Sequence, residues 1–184
     1  MFKKILTVLV AMALVPSVGY AREPVSVAGW DIIPDEEKQA CNMFSLYTYR
    51  KSGEIAAFLI TYSAKDKVAS ITFSNPYATS IKDETELELL MVFTSPNKLD
   101  DAWGNRNFFV LVDEKTGHRY FNSGWYDLEL LSDITKSTYI AFFIPDSEEL
   151  VSSFKLDGSA RAIVELKKCA FEVAGLNPND PFLK

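Results

Sequence analysis

Between Gln39 and Leu156 the apolar positions recur at every second residue, in short runs separated by turn formers. Side chains on a strand alternate between its two faces, so this period predicts half-buried antiparallel strands. Ile71 and Phe73 alternate with Ser70, Thr72 and Ser74, while Leu87, Leu89, Met91 and Phe93 share one face and Glu86 and Glu88 the other. Further runs are Met43 to Tyr49, Ala56 to Ser63, Asn107 to Asp113, Thr138 to Ile144 and Val151 to Leu156. The punctuation is chemically specific: Lys51-Ser52-Gly53-Glu54, Ala64-Lys65-Asp66-Lys67, Asn75-Pro76, Ser95-Pro96-Asn97, Glu114-Lys115-Thr116-Gly117 and Pro145-Asp146-Ser147 all favour turns. The pattern predicts a mainly β fold, an antiparallel β-sandwich or flattened barrel.

After Leu156 the period changes. Ala160, Ile163, Leu166, Ala170 and Val173 sit at helical spacing, with Asp157 or Ser159 available to cap the first turn and Gly175 to end the last. One C-terminal helix is expected over about 159–174, packing its stripe on the sheet, followed by a loosely docked tail over 177–184 that carries two Pro.

The N-terminus follows neither pattern. Lys3 and Lys4 precede Ile5 to Val15, a run of eleven residues that is apolar apart from Thr7. That is too short for a membrane span and reads as the core of a secretory signal. Pro16 breaks the segment, and the small residues Gly19 and Ala21 predict cleavage between Ala21 and Arg22. No Cys near the junction offers a lipid anchor, and no twin-Arg pair precedes the run. General secretion to the periplasm, with onward release left open, is the expectation, and the mature chain over 22–184 should form one domain with no membrane span. The strands are short for an outer-membrane barrel, and Lys184 lacks the aromatic end expected there.

Removing the leader would remove two Lys and no acid, taking the net charge from −6 to −8. That balance disfavours nucleic acid and anionic membrane and favours a basic protein or an envelope component as partner. Two Cys in an exported chain predict a disulfide from Cys41, at the start of the first long strand, to Cys169, on or beside the helix's buried stripe. It would clamp the helix to that strand. A redox-active pair usually needs Cys-X-X-Cys spacing, which is absent.

The inventory narrows the chemistry further. One His and two distant Cys cannot supply a Cys/His zinc site, no Asp-X-Asp-X-Asp-Gly calcium loop occurs, and no cofactor or metal is implied. His118 follows a predicted hairpin turn and reads as solvent-exposed; no Gly-X-Ser-X-Gly elbow exists to recruit it. The acidic pairs Asp100 with Asp101 and Asp127 with Glu129, and the group Asp146, Glu148 and Glu149, resemble in type those of glycoside hydrolases, but adjacency says nothing of separation. Catalytic residues are therefore not assigned.

Two segments stand out as candidate binding loops. Leu99 to Asn107 is polar but carries Trp103 and Arg106 beside Asp100 and Asp101, and Asn122 to Asp127 is turn-like with Trp125 and Tyr126 adjacent. Trp, Tyr and Arg on loops are the usual recognition anchors. For Trp103 and Trp125 themselves the favoured reading is that they fold back to plug the ends of the β scaffold, with exposure for recognition as the alternative.

The stretch Phe154-Lys155-Leu156-Asp157-Gly158-Ser159-Ala160-Arg161-Ala162-Ile163-Val164-Glu165-Leu166-Lys167-Lys168-Cys169, with Gly29-Trp30 and Cys41, resembles the invasion-associated locus B family of small exported proteins of Gram-negative bacteria. The resemblance implies a β-sandwich and a role at the cell envelope, and it carries no catalytic motif. The expectation is a non-enzymatic periplasmic or secreted protein acting as a binding or envelope-associated module. An inhibitor of a basic cell-wall hydrolase such as lysozyme is the alternative. A glycan-directed enzyme using Asp100, Asp101 or Asp127 is a third.

Overall fold

The computed structural model describes residues 23–49, 52–95, 98–147 and 149–177, with residues 98–102 as backbone only. The segment read as a secretory signal, expected to end at Ala21, and all but Asn177 of the expected tail over 177–184 lie outside them. Among the described residues are strands β1 (Val25–Val27), β2 (Trp30–Asp35), β3 (Ala40–Thr48), β4 (Ile55–Ser63), β5 (Val68–Asn75), β6 (Thr85–Ser95), β7 (Lys98–Val112), β8 (Arg119–Ser123), β9 (Tyr139–Phe143) and β10 (Leu150–Lys155). Helix α1 (Glu129–Lys136) lies between β8 and β9, and α2 (Ser159–Val173) follows β10.

All pairings are antiparallel and run without interruption through one sheet, ordered β1-β2-β3-β4-β5-β8-β7-β6-β9-β10. The sheet curls so that its two halves face each other but does not close into a barrel. Phe73 on β5 stacks on Phe142 of β9 at 4.2 Å as well as on its sheet neighbour Phe121 at 4.7 Å, and Phe58 on β4 stacks on Phe154 of β10 at 4.9 Å. These rings are fully buried, the expected outcome of a period-2 pattern whose apolar face looks inward. Tyr47 on β3 donates to the Lys155 carbonyl at 2.6 Å and Asn75 Nδ2 on β5 to the Val151 carbonyl at 2.5 Å. Edge strand β10 is thereby laid across the ends of β3 to β5, and two of its edge carbonyls find partners that would otherwise have to be strands.

The terminal helix occupies 159–173, as the 3.6-residue period implies. Its buried face is Ser159, Ala162, Ile163, Leu166, Cys169 and Ala170; Ala160, expected inside, is exposed. The helix ends in a Schellman arrangement, with Gly175 N–H bonded to the Glu172 carbonyl and Leu176 N–H to that of Phe171. At its start neither Asp157 nor Ser159 caps it. Gly158 is the N-cap residue at φ +77°, and Ser159 Oγ donates instead to the Ile134 carbonyl of α1 at 3.2 Å. A Cβ on Gly158 would lie 2.4 Å from the Ala28 carbonyl oxygen, so close packing against the β1–β2 turn fixes the residue. Trp30 on β2, fully buried, donates from its indole to the Asp157 carbonyl at 2.9 Å. The Cys41–Cys169 disulfide, with Cα atoms 6.0 Å apart, then ties the far part of α2 to β3.

Four local expectations change. The polar Leu99–Asn107 segment is not a loop but part of the 15-residue β7. Asn122 and Ser123 belong to β8, not to a turn. Strands begin before Gln39: β2 contains Pro34, whose missing N–H costs little because β1 pairs only with Trp30 to Ile32 and leaves β2 an edge beyond. The second helix, α1, buries Leu130, Leu131 and Ile134 against the core.

Candidate functional site

A β-bulge creates the most distinctive local feature of β7. Met91 of β6 pairs with Gly104 and Val92 with Ala102, leaving Trp103 without a partner. Gly104 supplies the positive φ of +71° that the irregularity requires. The bulge shifts the alternation by one residue and turns the Trp103 indole onto Phe93, a core residue of β6, at 5.9 Å between centroids. The indole N–H donates to Asp133 Oδ2 of α1 at 2.6 Å.

The β8–α1 connection approaches the same point from the other side. Tyr126 exchanges two backbone hydrogen bonds with Ala69 of β5, at 2.7 and 2.8 Å, which pins the connection to the sheet. Its ring meets Trp103 edge-on at 5.7 Å. Burial raises the pKa of its phenol, against the opposing pull of the Ser123 hydrogen bond and the Arg106 charge. Asp127 accepts the Glu129 N–H at 3.0 Å at the start of α1, where a carboxylate also suits the helix dipole.

Together Trp103, Arg106, Trp125, Tyr126, Asp127, Glu129 and Asp133 line an open cleft of about 510 Å³. All four aromatic and Arg candidates from the two sequence segments, about twenty residues apart in the chain, thus converge on one place. The guanidinium of Arg106 lies 5.6 Å from the Trp103 ring centroid and donates from Nη1 to the Asn105 carbonyl at 2.9 Å. Trp103 is half-buried at the base, whereas Trp125 is 56% exposed at the rim. Plugging therefore describes Trp103 in part and Trp125 not at all. Asp100 and Asp101 lie on the β7 backbone, where Asp101 pairs with Phe93; their side chains fall outside the described atoms.

Sequence reading alone missed Asp133 and took Glu129 only as an acidic neighbour of Asp127, because α1 was missed. The signal was present: Leu130, Leu131 and Ile134 follow Asp127 at helical spacing. His118 stands in the β7–β8 hairpin, at the other end of β7 from Trp103, and is half-buried rather than exposed. Among the described residues no group of three or more His, Cys, Asp or Glu is placed to hold a metal ion. Asp127, Glu129 and Asp133 therefore form a dispersed acidic wall, not a convergent ligand set. No helix among the described residues is long and apolar enough to cross a membrane.

No family model and no curated protein matches the chain. Among solved structures, invasion associated protein B from Bartonella henselae is similar, with a TM-score of 0.51 and 14% identity over 79% of this chain and 96% of that one. At that identity the likeness is one of fold: this chain shares the β-rich architecture of the Bartonella protein.

Proposed function

We propose that the protein is an exported, non-enzymatic binding module of the bacterial envelope, and that the Trp103–Trp125 cleft is its recognition site. The observation that carries this reading is the convergence of Trp103, Arg106, Trp125 and Tyr126 on one open cleft, with a large indole at its rim. Aromatic anchors held by a rigid scaffold are the residues that dominate recognition energetics. The signal segment, the Cys41–Cys169 disulfide and the fold shared with an invasion associated protein support the compartment and the envelope role. The test is affinity capture from envelope extract with the disulfide-intact chain from Arg22 to Lys184 beside its Trp125→Ala variant. Trp125 is exposed, so the variant keeps the fold. A partner retained by the parent and lost by the variant supports the reading; capture indifferent to Trp125 overturns it.

The acidic wall of the cleft and the mature net charge of −8 favour one second reading, inhibition of a basic cell-wall hydrolase such as lysozyme. Unaltered lysozyme rates in the presence of micromolar protein at low salt would refute it.

A further inference from the structure

We infer that the cleft receives a basic side chain, a guanidinium above all, presented by a partner protein, and that Arg106 holds its place until it arrives. The inference rests on the cleft being the recognition site.

The protein already shows that this cleft accommodates a guanidinium. Arg106 lies over the Trp103 ring at 5.6 Å, the arrangement in which the negative ring face attracts a cation. Yet among the described residues no ion pair joins Arg106 to Asp127, Glu129 or Asp133, and the hydrogen bond it makes there goes to the neighbouring Asn105 carbonyl of its own strand. The ring, not a carboxylate, is what it rests on. Among the described residues, three carboxylates in the lining thus face a single cation. Asp133 has one oxygen engaged by the Trp103 indole and Asp127 one by the Glu129 N–H, which leaves each with acceptor capacity, since a carboxylate offers about four lone-pair sites. A metal ion would need these carboxylates to converge, and they do not. A planar organic cation needs an aromatic face and acceptors spread around it, and Trp125 at the rim with the wall beside it offers both.

This arrangement has a signature that a sugar or anion site lacks. Arg106 competes with the incoming cation for the Trp103 face and adds repulsion, so replacing it strengthens binding. Where the ligand is an anion or a glycan, loss of that guanidinium removes a donor and weakens binding.

The disulfide-intact chain from Arg22 to Lys184 is titrated at low salt with blocked tri-arginine amide, followed by tryptophan fluorescence and calorimetry. Chitotriose and tri-glutamate serve as comparison ligands. Saturable tri-arginine binding is expected, weakened about fivefold by Trp125→Ala. Glu129→Gln should weaken it about threefold at low salt and less as salt rises, and Arg106→Gln should strengthen it about threefold. No saturable binding, binding indifferent to Trp125→Ala, or binding weakened by Arg106→Gln overturns the inference, as does Trp125-dependent binding of chitotriose in place of tri-arginine. If envelope capture still depends on Trp125 while tri-arginine fails, the basic ligand is wrong and the recognition site stands. If capture loses that dependence too, both fall.

Discussion

Replacing Gly158 by Ala should cost about 2–5 kcal/mol, from left-handed strain of about 1–2 kcal/mol and overpacking of about 1–3 kcal/mol. The residue has φ +77°, and its new Cβ would sit 2.4 Å from the Ala28 carbonyl oxygen and 2.6 Å from the Ala28 Cβ. Heavy atoms in comfortable contact are about 3.5 Å apart, so the β1–β2 turn must retreat by about 1 Å. That turn has little freedom to do so, because Ala28 and Gly29 are themselves held at φ +54° and +87° and Trp30 is buried directly after them. Gly53→Ala supplies the control: φ is +74° there but nothing lies within 4 Å of the added carbon, so only the backbone strain applies. Urea unfolding followed by tryptophan fluorescence should place Gly158→Ala below Gly53→Ala by about 1–3 kcal/mol, the steric part alone. Adding Ala28→Gly should recover little, since the tighter contact is to the backbone oxygen. Equal losses in the two single variants, or full rescue by Ala28→Gly, would refute the packing argument.

Thiol labelling of the denatured, unreduced protein should find no free Cys; reduction opens the cross-link, whose ends are 128 residues apart, and should lower stability by up to about 5 kcal/mol in a chain-entropy account, measured by the same unfolding curves. Asp133→Ala should cost about 1–2 kcal/mol by orphaning the half-buried Trp103 N–H, and should red-shift tryptophan emission as the base of the cleft opens; an unshifted spectrum would count against the 2.6 Å hydrogen bond. Tyr47 has its pKa pushed up from 10.0 to about 12, chiefly by burial, so the unfolded chain gives up this proton first as pH rises. The stabilisation is intact below pH 10 and is lost between about pH 10 and 12, amounting to about 2–3 kcal/mol. Stability measured across that range should fall less steeply in Tyr47→Phe than in the parent.

The elements legible in the sequence are those whose apolar period is set by the core itself. Strands β4, β5 and β6 alternate cleanly because one face is buried and the other is not, and α2 shows its period because it covers β2 and β3 with a continuous stripe. Of the expected stripe, Ile163, Leu166 and Ala170 are buried and Val173 packs against the core, and only Ala160 is exposed. The inward place beside it is taken by Ser159, which is buried for a hydrogen bond to the Ile134 carbonyl and not for apolarity. Strands β1 and β2 were illegible because three residues of pairing and a Pro leave almost no period to read. The first part of β7 was read as loop from Asp100, Asp101, Gly104 and Asn105; its extended form comes from pairing with β6, a tertiary effect that overrides local preference.

The candidate site was legible in its parts and not in its assembly. Trp103 with Arg106 and Trp125 with Tyr126 drew notice as aromatics and Arg in polar surroundings, which is a statement about each residue alone. Their meeting depends on two non-local facts: the register that pairs Tyr126 with Ala69 on β5, and the bulge that leaves Trp103 unpaired against β6. In a strand, a shift of one residue exchanges the two faces. Had β6 and β7 paired without the extra residue, Trp103 would stand opposite Val92 and the indole would point to the other face, away from Phe93 and Asp133. The bulge at Gly104 thus decides whether the scaffold has a cleft or a plain sheet end. Helix α1 then supplies what the strands lack, placing Asp133 under the indole and Glu129 on the wall while its buried Leu130, Leu131 and Ile134 anchor it to the core. Because α1 is also held from behind by Ser159 of the disulfide-tethered α2, the acidic wall is fixed relative to the aromatic base before any ligand arrives.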